Sequence, residues 1–158
     1  MKRSLVAVLF AFAAAAAPSA MAEGNAADAT DMQALRASVR ADKKALVAST
    51  LNLSEAEAKK FWPIYDAYQR DLDMINRRRV VAIEGLLARD KPLSDIYAKT
   101  LANELIATDE AEIKARRTMH NRLLKALPPK KAARYLQLES KVRAAQAYDI
   151  AVTFPLVK

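Results

Sequence analysis

The sequence predicts an all-α protein, with a short first helix and three longer helices in an open, hairpin-type arrangement. Three observations carry this. Glycine occurs only twice in 158 residues, at Gly24 and Gly85, too seldom for the turns of an all-β chain. Apolar residues recur at alternating steps of three and four along long stretches. Acid–base pairs stand four residues apart, acid first, at Glu55–Lys59, Asp66–Arg70, Asp73–Arg77, Asp95–Lys99, Glu110–Lys114, Glu112–Arg116 and Glu139–Arg143. Each such pair supports an exposed helix by a few tenths of a kcal/mol. Helices so heavily paired on their surfaces fit a thin assembly better than a thick globule.

The chain opens with a leader. Lys2 and Arg3 precede an apolar run from Leu5 to Ala17, Pro18 breaks it, and Ala20-Met21-Ala22 supplies a small-x-small cleavage pattern. This reads as a secretory signal peptide over residues 1–22, cleaved after Ala22. The run falls short of the ~20 residues that a membrane span needs, and no cysteine is present for lipid attachment. The expected mature chain is periplasmic, with no membrane span. Losing Lys2 and Arg3 takes the net charge from +8 to +6. Residues 23–30 are small and polar and read as a flexible linker. Residues 31–158 read as one helical domain with a short non-helical tail.

A first helix is expected over residues 30–49, capped by Thr30, with Leu35, Val39, Leu46 and Val47 as a narrow apolar stripe. Leu51-Asn52-Leu53 interrupts it. Ser54 and Glu57 then form a capping box: the hydroxyl accepts from the N3 amide, and the carboxylate accepts from the N-cap amide. The second helix is expected over residues 54–89 on Ala58, Phe61, Tyr65, Tyr68, Leu72 and Ile75, continuing through Ala82 and Leu86, with Arg79 interrupting its apolar face. Pro63 should kink it, because proline lacks an amide donor and crowds the preceding turn. A turn at residues 90–93 leads to Ser94, which caps a third helix over 95–126 on Leu101, Leu105, Ala115, Met119 and Leu123. Leu127-Pro128-Pro129 ends that helix and starts the fourth, since proline suits a first helical turn. Tyr135, Leu138, Val142 and Ala145 give the fourth its face. The apolar tail over residues 152–158 is expected to leave the helix and pack.

The same residues exclude much chemistry. Two glycines cannot build a phosphate-cradling loop or a nucleophile elbow. Absent cysteine removes disulfides, thiolate nucleophiles and thiolate metal sites. Asp71 and Asp73 are two apart on a helix and do not face each other. A lone His120 provides no triad. No enzymatic activity and no cofactor are expected. The basic balance would suit nucleic acid, but export removes the protein from it.

Two helix starts share one layout. Leu53-Ser54-x-x-Glu57 opens the second helix, and Leu127-Pro128-x-x-Lys131 opens the fourth. In a secreted, cysteine-free chain of one short and three longer helices, this resembles the Spy/CpxP family of periplasmic proteins, marked by two Leu-Thr-x-x-Gln motifs. The resemblance spans roughly residues 35–150. Ser54 and Glu57 keep the capping chemistry of the first motif, whereas Pro128 and Lys131 do not keep that of the second. The resemblance implies a curved dimer of helical hairpins. Such a dimer binds unfolded or misfolded envelope proteins without ATP, or restrains the periplasmic domain of a sensor kinase. Metal-responsive relatives use several histidines. With one histidine, this chain would need ligands from two subunits to hold a metal.

The candidate client-binding residues are Arg77, Arg78, Arg79, Arg116, Arg117 and Trp62. In an antiparallel hairpin, Arg77–Arg79 should lie opposite residues 104–108, and Arg116 and Arg117 nearer Tyr65 and Tyr68. Phe61, Tyr65 and Tyr68 read as core or dimer seam. Trp62 lies one position off their stripe, free to meet another helix, a partner subunit or a client. A second class of function stays open: a structural or assembly protein with one envelope partner, docked through the apolar tail.

Overall fold

A computed structural model describes residues 31–88, 92–154 and 156–157. The leader, its cleavage site, the linker and the Thr30 cap lie outside the described residues, as do residues 89–91 of the hairpin turn. The described chain is all-helical: α1 Met32–Leu51, α2 Glu55–Leu87, α3 Asp95–Ala126 and α4 Pro129–Thr153.

Local chemistry sets most boundaries. Asp31 caps α1, its carboxylate accepting from the Gln33 and Ala34 amides. Asn52 ends α1 with φ 44°, ψ 60°, a left-handed conformation that asparagine tolerates better than most residues. The Ser54–Glu57 capping box is fully formed. Ser94 caps α3 by accepting from the Tyr97 amide. Pro128 and Pro129 start α4 without a side-chain cap bond. α2 continues through Pro63. Proline sits on the exposed face, so the Lys59 carbonyl it leaves unpaired is turned toward water and costs little.

One break was not foreseen. Inside α1, Asp42 leaves helical geometry (φ −163°, ψ 99°), and its carboxylate accepts from the Ala45 amide. Asp42 thus caps a second helical segment within α1.

α2 and α3 form an antiparallel hairpin, and α1 packs antiparallel on α4. One apolar core joins all four helices through Leu35 and Val47, Phe61 and Tyr68, Met119 and Leu123, and Tyr135 and Val142. Phe61 and Tyr135 meet edge to face, ring centroids 5.2 Å apart. Past Ile75 in α2, and before Leu101 in α3, no described side chain is buried. The end of the hairpin is therefore a two-helix arm without a core of its own.

Two expectations need correction. The tail leaves the helix at Phe154, which is half-buried, but beyond it the described residues do not pack: Leu156 is 91% exposed and Val157 49%. Of the seven expected i,i+4 pairs, only Glu55–Lys59 forms among the described residues; Asp66 pairs with Lys44 of α1 instead, and Glu112 and Glu139 turn away from their own helices. Both lie on buried faces, so their carboxylates reach cations on neighbouring helices.

Candidate functional site

The two motif starts meet in space. Lys131 Nζ lies 2.6 Å from Glu57 Oε2 and donates to the Asn52 carbonyl at 3.0 Å. Glu57 therefore serves both its own helix start and that of α4. The Lys131 ammonium, followed by the Ser54 amide, holds the Glu57 carboxyl below its ordinary value. Leu127 is buried in the core and Leu53 packs against it, while Ser54 and Pro128 stay exposed as caps. This junction ties the α1–α2 corner to the α3–α4 corner.

The three consecutive arginines of α2 point three ways. Arg77 is exposed and makes no ion pair among the described residues. Arg78 grips Glu104 with two hydrogen bonds, at 3.0 and 3.1 Å. Arg79 turns inward, its side chain only 14% exposed, with Nη2 at 3.0 Å from both Asp109 and Glu112. Arg117 is exposed and Arg116 half-buried. Arg116 lies close enough to Tyr68 for its charge to act on that phenol. Trp62 joins the aromatic cluster, edge-on to Phe61 and Tyr65, with Lys44 Nζ 4.9 Å above its ring.

Arg79 belongs to a charged cluster at the base of the arm. Arg143 of α4 also bonds Glu112 through Nε and stands 4.0 Å from Asp109. Two guanidiniums and two carboxylates thus close a ring across α2, α3 and α4. Beside it, Glu139 is 4% exposed and pairs with Lys43 of α1 at 2.8 Å; its Oε2 and the Tyr135 hydroxyl are both buried without a close hydrogen bond, and the phenol lies within reach of the carboxylate. The Glu139 charge also reaches the aromatic core. Burial first, and then Glu139, push Tyr65 up to about 12 and hold Tyr68 and Tyr135 still higher. All three phenols are neutral across physiological pH.

Above this cluster, α2 and α4 part to leave a cavity of about 520 Å³. Its walls are apolar: Leu72, Val80 and Ile83 from α2, Ile150 and Phe154 from α4. Arg79, Glu112, Glu139 and Arg143 line its polar side. No residue of α1 lines it. Before the Asp42 break, the first half of α1 lies along α4 instead, with Arg36 bonded to Asp149 at 2.9 Å and stacked 4.8 Å over Tyr148. The sequence held one signal of this site: charged residues at core-facing positions, Arg79 on the α2 stripe and Glu112 between Leu105 and Met119.

The outer surface of the α2–α3 hairpin is a second feature. Met74, Arg77 and Val81 share the exposed face of α2, and Ile106, Ile113 and Arg117 share a face of α3. Val81 is 68% and Ile96 81% exposed. Arg77, Arg78, Val81, Ala82 and Glu104 line a shallow hollow of about 360 Å³ between the two helices.

Among the described residues, no group of three or more His, Asp or Glu is placed to hold a metal ion, and no helix is long and apolar enough to cross a membrane. No family model, curated protein or solved structure matches the chain.

Proposed function

We propose that this chain is an exported, ATP-independent binding protein of the periplasm, chaperone-like or modulating an envelope-stress sensor, and that it acts as a homodimer of curved hairpins. The observation that carries the reading is the outer surface of the α2–α3 hairpin: Val81, Ile96 and Ile106 stand exposed on it, as do Arg77 and Arg117 on the same two helices. Exposed apolar side chains grouped on one face mark an interaction surface, and Met74 with Val81 and Ile106 with Ile113 share exposed helix faces. Neighbouring positive charge speeds capture of acidic or unfolded chains. The signal-peptide pattern at residues 1–22 and the two helix-start motifs support the same reading. No nucleic-acid partner and no enzymatic step belong to it.

The test is suppression of aggregation of an unfolded substrate at stoichiometric amounts without ATP. No suppression, together with unchanged envelope-stress signalling in a deletion strain, overturns the reading. Light scattering tests the homodimer, and a monomer removes that part. N-terminal sequencing of the periplasmic form should begin at Glu23. A second reading, a structural protein with one dedicated partner, is favoured by the exposed apolar Leu156 and Val157. A pull-down yielding one partner instead of many unrelated clients supports it.

A further inference from the structure

We propose that the cavity between α2 and α4 binds a small cationic amphiphile, with an ammonium head on an aliphatic body. The inference is independent of the client-binding reading, which rests on the hairpin's outer face. A volume of about 520 Å³ is on the scale of sites for small molecules, ~300–1,000 Å³. Leu72, Val80, Ile83 and Ile150 offer contact to an aliphatic chain.

The polar side selects the head group. Arg79 lies between Asp109 and Glu112, and Arg143 bonds Glu112, so both cations already face carboxylates. An anionic head would have to compete with those partners. Carboxylates keep spare acceptor capacity, since each oxygen has two lone pairs. Glu139 shows this in part: Lys43 takes Oε1, while buried Oε2 makes no close hydrogen bond and has the neutral Tyr135 phenol within reach. Asp109 and Asp149, paired with Arg79 and Arg36, also line the cavity. Counting side chains that line it, four are carboxylates (Asp109, Glu112, Glu139, Asp149) and two are guanidiniums (Arg79, Arg143). An ammonium finds acceptors here, in a molecule whose overall charge is positive.

The experiment is titration of the full mature chain with n-decylammonium and, separately, decanoate, read by calorimetry and by isoleucine-methyl NMR. Decylammonium should bind saturably at one site, about tenfold or more tighter than decanoate, the ratio that one charge-assisted hydrogen bond supports. Methyl shifts should appear at Ile83 and Ile150 and not at Ile96 or Ile106. Ala147→Trp places a large ring at an exposed position lining the cavity and should abolish binding. Glu139→Gln should erase most of the preference over decanoate. Equal binding of the two amphiphiles, unsaturable titration, or shifts confined to Ile96 and Ile106 would overturn the proposal. The last outcome would leave the hairpin surface's proposed role intact. The wild-type methyl map decides the matter even where a variant fails to fold.

Discussion

Glu57 shows how much one side chain can join. It completes its own capping box and receives Lys131 from the other helix start. Its folded-state pKa is depressed, so its contribution is present above the unfolded carboxylate value and is lost as pH falls through the folded one. Denaturation of wild type and Glu57→Gln from pH 7 down to pH 2 should show wild type more stable at neutral pH and the gap closing in acid. A pH-independent gap would mean the ion pair contributes nothing. The charged ring allows a sharper contrast. Glu112 is 8% exposed and bonds two guanidiniums, whereas Asp109 is 61% exposed. Glu112→Ala leaves Arg79 enclosed without its buried partner and should cost about 3–5 kcal/mol. Asp109→Ala should cost no more than about 1 kcal/mol. Urea unfolding of the two variants separates these outcomes, and equal losses would deny Glu112 its central place.

At the scale of the element, α1 is the instructive helix. Asp42 caps the segment after the break through the Ala45 amide, and side-chain caps of this kind are worth about 1 kcal/mol. Asp42→Ala should lower stability by about that amount in urea titrations, and it removes the local reason for the break. Amide exchange should then show continuous protection from Val39 to Leu46. Unchanged low protection at residue 42 would mean that packing on α4, rather than the cap, imposes the break. α2 presents the opposite case. Its proline sits on the exposed face, and the helix passes through it. Both residues are exposed, and they differ in chemistry: Pro63 only omits one amide bond, whereas the Asp42 carboxylate offers the Ala45 amide an alternative partner.

For the whole molecule, stability and surface are separated along the hairpin. The core joins Leu35, Phe61, Leu123 and Tyr135, while the outer surface of the hairpin exposes Val81 and Ile106. Replacing both with aspartate should leave the unfolding midpoint almost unchanged, since surface substitutions usually fall within about 0.5 kcal/mol. It should sharply reduce aggregation suppression. A variant that keeps full suppression would remove the hairpin surface from client binding. The calorimetric and methyl-shift readouts of the cavity should not respond to these substitutions.

The sequence by itself determined what neighbours along the chain decide. The box at Ser54 and Glu57, the Ser94 cap, the proline pair at Pro128 and Pro129 and the spacing of Tyr135, Leu138 and Val142 define helices without reference to anything distant. Helix periodicity also separates core faces from surfaces, so the hairpin register opposite Glu104 was legible. The i,i+4 rule failed for Glu112 and Glu139 because these face neighbouring helices and meet cations there. Only the tertiary structure decided that Lys131 reaches Glu57, that Arg79 turns inward while Arg77 stays in water, and that α2 and α4 leave a cavity between them. Each of these depends on residues dozens of positions apart meeting across helices. A charge on an apolar stripe announces that a partner must exist. Which partner it finds is set by how the helices pack.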